Sequence, residues 1–73
     1  MGSWTFWKNA NCENQNVWKR QINLSKCGQH CLNIKSNLMI YNYATQYCNC
    51  CKDPQGKFTD NEAVSMYRFE ESQ

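Results

Sequence analysis

The sequence predicts an α+β domain, with one helix packed on a small, mostly antiparallel sheet and stapled by disulfides. Three observations carry this reading. Six cysteines (Cys12, Cys27, Cys31, Cys48, Cys50, Cys51) stand in only 73 residues. Cys27, Cys31 and Ile34 recur at i, i+4 and i+7, the stripe of one helical face. Beyond them, LMIYNY and the C-x-C-C segment have the composition and length of strands.

The need for staples follows from size. A chain this short buries only about 60% of its unfolded surface, so its core is marginal against chain entropy. A bridge closing a loop of about 20 residues contributes roughly 3 kcal/mol in the chain-entropy model. An even cysteine count in a short chain reads as a disulfide framework and places the domain in an oxidising, secreted or extracellular compartment. Reduced structural thiols are the rival reading.

Charge narrows the partners. Net charge is +2 and the pI about 8.2, with Lys and Arg scattered and Lys19-Arg20 the only adjacent basic pair. A nucleic-acid partner calls for a clustered basic excess, so none is expected. No apolar run approaches the ~20 residues of a membrane span, so no membrane insertion is expected either. Met1-Gly2-Ser3 runs straight into Trp4 without a basic-then-apolar leader. It reads as an expression scar at residues 1–3, before a single domain at 4–73. The myristoylation pattern fails at Phe6. Asn23-Leu24-Ser25 is the one glycosylation sequon, with Asn23 as acceptor.

Taken in order, residues 4–8 alternate and are aromatic, as an edge or terminal strand requires. Residues 17–24 read as a second strand with Ile22 and Leu24 on one face. Ser25 is the expected N-cap of a helix over 26–36, its hydroxyl accepting from an orphan backbone N–H. Asn37 is the expected left-handed stop. Residues 38–43 form the clearest strand, a turn follows near Ala44-Thr45, and 46–51 continue as another strand. Asp53-Pro54-Gln55-Gly56 has the residue order of a type I turn. Residues 64–69 return as the last strand.

These elements restrict the disulfides. On a helix Cys27 and Cys31 lie one turn apart, about 6 Å, on one face. On a strand Cys48 and Cys50 share a side at about 6.6 Å. The two spacings match, so two parallel bridges can rivet helix to strand. Cys51 points to the opposite face and is left for Cys12. Of fifteen pairings two survive. Cys27–Cys48 with Cys31–Cys50 is preferred, and the crossed alternative is Cys27–Cys50 with Cys31–Cys48.

Cys27, His30 and Cys31 with the later cysteines have zinc-ligand chemistry, but C-x3-C with C-x-C-C lacks paired C-x2-C knuckles, so no metal is expected. His30 is expected to be solvated, off the Cys27/Cys31 stripe. Neither a nucleophile elbow nor a phosphate-cradling Gly-rich loop occurs. The acidic residues lie beside turns or in the tail. The chain is expected to be no enzyme and to need no cofactor.

The segment CGQHCLNIKSNLMIYNYATQYCNCC, residues 27–51, resembles the apple/PAN module family. Cys27 and Cys31 match that family's helix pair, Tyr41-Asn42 its strand end, and Cys48 the cysteine seven positions later. The resemblance implies Cys27–Cys48, and more loosely the first-to-last bridge Cys12–Cys51. The chain departs from the pattern where the family's second helix cysteine finds its partner, since Asn37-Leu38-Met39 holds no cysteine; Cys31 must then use Cys50. The C-x-C-C ending resembles a variant found in protist surface proteins. About 45 residues are covered, from Ser25 to Tyr67.

The resemblance implies an apple/PAN-like fold and an extracellular, non-catalytic recognition unit that binds protein or carbohydrate within an adhesive or surface assembly. From the residues alone, Trp4, Trp7, Trp18 and Tyr43 are candidates for an exposed binding patch, because Trp favours interface hot spots and sugar stacking. Trp in so small a domain also commonly fills core beside disulfides, so each carries both readings. A free secreted signal, pheromone- or toxin-like, is the alternative function, and an intracellular zinc-binding adaptor the second. The oligomeric state is open.

Overall fold

The computed structural model describes residues 2–13, 16–51 and 57–71, and of residues 16–18 the backbone only. Among the described residues seven strands and one helix follow in the order β1 (Gly2–Lys8), β2 (Ala10–Cys12), β3 (Asn16–Lys19), α1 (Leu24–Asn33), β4 (Leu38–Asn42), β5 (Tyr47–Cys51), β6 (Phe58–Asp60) and β7 (Ser65–Glu71). Five strands make one antiparallel sheet in the order β1-β7-β4-β5-β3, and β2 pairs with β6 in a second, two-stranded sheet. The expected α+β class, with one helix and antiparallel sheets stapled by disulfides, is what the structure shows. The Asp53-Pro54-Gln55-Gly56 turn lies outside the described residues.

The central strand β4 explains the layering. Leu38, Met39, Ile40 and Tyr41 are all buried, as a strand covered on both faces requires. Alternate side chains feed two clusters. Leu38 and Ile40 join Ala10, Cys12, Cys51, Val64 and Met66 on the face under the small sheet. Met39 and Tyr41 join Cys27, Cys31, Cys48 and Cys50 on the helix face, with Trp4, Ile22, Leu24, Ile34 and Tyr67 packed around them.

Three sulfur bridges cross these layers. Cys27–Cys48 and Cys31–Cys50 pin α1 to β5, and Cys12–Cys51 ties β2 to the other face of β5. The uncrossed pair is the one present. Cα separations of 5.4–6.0 Å fall within the reach of a disulfide.

Several boundaries differ from the sequence reading. The helix is capped by Asn23, whose side-chain oxygen accepts from the Lys26 backbone N–H at 2.8 Å, and Ser25 falls in the first turn. Both residues carry a capping oxygen, and Asn23 is the one left in an extended conformation (φ −79°, ψ 166°). At the other end Lys35 (φ 61°), not Asn37, takes the left-handed position. The Lys35 N–H bonds Leu32 O and the Ser36 N–H bonds Cys31 O, a Schellman closure. The turn must come there because β4 begins at Leu38. The expected strand over 17–24 stops at Lys19, since Gln21 is left-handed (φ 53°) and Leu24 already belongs to α1. β1 starts at Gly2, with Gly2 and Ser3 pairing with Glu71 and Glu70 of β7.

Gly28 sets how closely α1 can approach the sheet. A Cβ at this position would lie 2.5 Å from Trp4 Nε1 and 2.9 Å from Trp4 Cδ1. Gly28→Ala gains about 1 kcal/mol of helix propensity yet must push the indole away. We expect a net loss of stability and a shifted Trp emission maximum; unchanged emission with raised stability would show that Trp4 yields freely.

Candidate functional site

The structure sorts the aromatic residues by face and does not bring Trp4, Trp7, Trp18 and Tyr43 into one patch. Trp4 sits half-buried beneath α1, edge-on to Phe69 at 5.3 Å, and serves as core. The side chain of Trp18 lies outside the described residues. Trp7 and Tyr43 are exposed (39% and 56%) on opposite sides of the sheet.

A register shift between Phe6 and Lys8 places Trp7. The register runs from Phe6↔Tyr67 to Lys8↔Met66 with Trp7 as the extra residue, a β-bulge that re-aims side chains. Trp7 and Lys8 therefore both reach the face away from the helix. There the Trp7 ring meets Phe58 edge-on, with centroids 5.2 Å apart. Lys8 Nζ lies 4.2 Å from the Trp7 centroid and 4.5 Å from that of Phe58. Arg68 Cζ lies 5.3 Å from the Trp7 ring. Trp7, Phe58 and Arg68 line an open groove of about 310 Å³ with Asn37 and Leu38. Two cations on a part-exposed indole give this groove an apolar wall and a positive rim. A surface pair, Arg68 Nε to Glu70 Oε1 at 3.7 Å, neutralises little at such exposure.

On the helix face, beyond α1, a second group forms. Phe6 (56% exposed) meets Tyr67 edge-on at 5.9 Å, and Tyr43 meets Tyr41 edge-on at 5.1 Å. The Tyr43 and Tyr67 hydroxyls are hydrogen-bonded to each other. Tyr41 donates to Ile22 O at 2.6 Å, which fixes the ring at the base of the row. Burial, then the hydrogen bond and charge coupling with Tyr43, pushes the Tyr67 hydroxyl up to about 12, against a smaller downward pull from Ser65. The folded state thus holds this proton more tightly than the unfolded chain, whose Tyr ionises near 10. Stability from this group is complete below pH ~10 and is lost as pH rises toward about 12. Tyr43→Phe should lower the Tyr67 midpoint in an absorbance titration; an unmoved midpoint would remove Tyr43 as a cause.

Phe6, Tyr67, Phe58, Lys8 and Arg68 were missed from the sequence. They come from opposite ends of the chain and meet only through the β1–β7 pairing and the β2–β6 sheet. His30 also departs from expectation: it is half-buried, and its Nε2 is buried with no hydrogen-bond partner among the described residues. At about 100° per residue His30 sits some 60° round from Cys27, flanking the buried stripe. Asn23, the glycosylation candidate, is exposed at the helix start; its oxygen serves the cap, whereas glycosylation would use the amide nitrogen.

The sulfur atoms of Cys27, Cys31 and Cys48 lie within 4.8 Å of one another. Cys27 and Cys48 are bridged to each other and Cys31 to Cys50, so holding a metal would require their reduction to thiolates. Among the described residues no helix is long and apolar enough to cross a membrane. Comparison with protein-family models, with curated proteins and with solved structures finds no match to this chain.

Proposed function

We propose that this chain is an extracellular recognition module of the apple/PAN kind, which binds a protein or carbohydrate ligand without catalysis as part of a secreted or surface assembly. The observation that carries the reading is the Trp7 groove. An exposed indole walled by Phe58 and flanked by Lys8 and Arg68 has the make-up of an interface anchor. Three buried bridges support an oxidising compartment. The double pinning of α1 to β5 supplies a rigid frame; Cys27–Cys48 is the bridge the family resemblance implies, and Cys31–Cys50 is this chain's departure from that pattern.

The test is a glycan array and a surface-protein pull-down with the oxidised domain, repeated with Trp7→Ala. A Trp hot spot of about 2 kcal/mol corresponds to a loss of roughly 30-fold in affinity. The expected result is that loss with the melting temperature within a few degrees of the parent. Binding that is indifferent to Trp7→Ala, Lys8→Ala and Arg68→Ala would contradict the assignment of this groove.

A further inference from the structure

None of the six cysteines lies on β1, β4 or β7. The bridges secure α1, β2 and β5, while the β1–β7 half of the sheet is held by backbone pairing and side-chain packing. At the margin of that half, Tyr43 after β4 and Tyr67 on β7 touch through their hydroxyls across 24 positions of sequence. Tyr41 stands edge-on to Tyr43 (81°) and Phe6 edge-on to Tyr67 (82°), so each ring packs against an aromatic neighbour. Tyr43 is 56% exposed and Tyr67 part-exposed, which leaves the pair open to an oxidant.

We propose that Tyr43 and Tyr67 are an oxidative modification site, where the two rings join into an intramolecular dityrosine. The reactive carbons of a phenoxyl radical are ortho to the oxygen, next to the carbon bearing it. Hydroxyls in mutual contact leave the ortho carbons of each ring only two bonds from the contact, so a swing of the exposed Tyr43 ring brings one of each together. Each tyrosine gives one electron and its phenolic proton to a peroxidase oxidised by hydrogen peroxide. The two radicals couple, forming one C–C bond between ortho carbons. The ring hydrogens at those carbons then migrate to oxygen, restoring both phenols. Two electrons and two protons leave the protein and reduce one hydrogen peroxide to two waters. The product is a covalent tie between the β4–β5 turn and β7, a strand that carries no cysteine.

The experiment treats the oxidised, full chain at low concentration with a peroxidase and hydrogen peroxide. Expected are a monomer lighter by two hydrogen atoms, dityrosine fluorescence, and one proteolytic fragment containing both Tyr43 and Tyr67. A melting temperature raised by about 5 °C, the scale of a 1 kcal/mol gain in so small a domain, should accompany it. Tyr43→Phe and Tyr67→Phe each keep the ring and should each abolish the linked fragment, whereas Tyr47→Phe should leave it. An unchanged monomer mass, a link through Tyr41 or Tyr47, or dityrosine only between molecules would overturn the proposal. Ligand binding enters none of these readouts.

Discussion

Replacing Cys31 and Cys50 together by alanine should leave the chain largely unfolded near about 37 °C, the usual outcome of losing a native bridge from a small secreted domain. The bridge closes 19 positions, worth about 3 kcal/mol of denatured-state entropy. Both residues are fully buried where α1 meets β5, so the lost sulfurs also leave unfilled volume, and the total cost should reach about 3–5 kcal/mol. The helix offers little to offset this, because ten residues make a marginal helix in water. Circular dichroism and chemical denaturation under non-reducing conditions would read the loss. A variant as stable as the parent would mean that Cys27–Cys48 and the packing of Trp4 suffice to hold α1.

Ile40→Ala is expected to cost about 2–5 kcal/mol. Ile40 is fully buried at the centre of β4, between Asn49 of β5 and Met66 of β7. Its side chain packs with Ala10, Cys12, Leu38, Cys51, Val64 and Met66, which join the two sheets. Cys12–Cys51 fixes those sheets at their sulfur atoms, so the site cannot collapse freely around the missing methyl groups. Urea unfolding should show a lower midpoint with an unchanged slope. A changed slope would instead point to a looser native state.

How much of this was legible in the sequence depends on the residue. The helix–strand clamp was, because i, i+4 on a helix and i, i+2 on a strand give nearly equal sulfur spacings. β4 was legible from its unbroken LMIY run. The exact cap was not, since Asn23 and Ser25 both carry an oxygen able to accept a backbone N–H, and the extended backbone of Asn23 decides between them. β2 and β6 escaped because three residues carry no period, and Phe58-Thr59-Asp60 reads as polar loop. The groove escaped for a further reason. Alternation alone sets Trp7 opposite Phe6 but leaves Lys8 on the far face, and only the bulge seats Lys8 beside it. Phe6 and Tyr67 become neighbours through pairing of the two chain ends, which no local pattern announces.

Peptide mapping of the unreduced native chain tests the sulfur framework most directly. The account predicts an intact mass lower by six hydrogens than the reduced chain, with fragments joined as Cys12–Cys51, Cys27–Cys48 and Cys31–Cys50. Free thiols, a bound metal released on acidification, or the crossed pair Cys27–Cys50 with Cys31–Cys48 would contradict it.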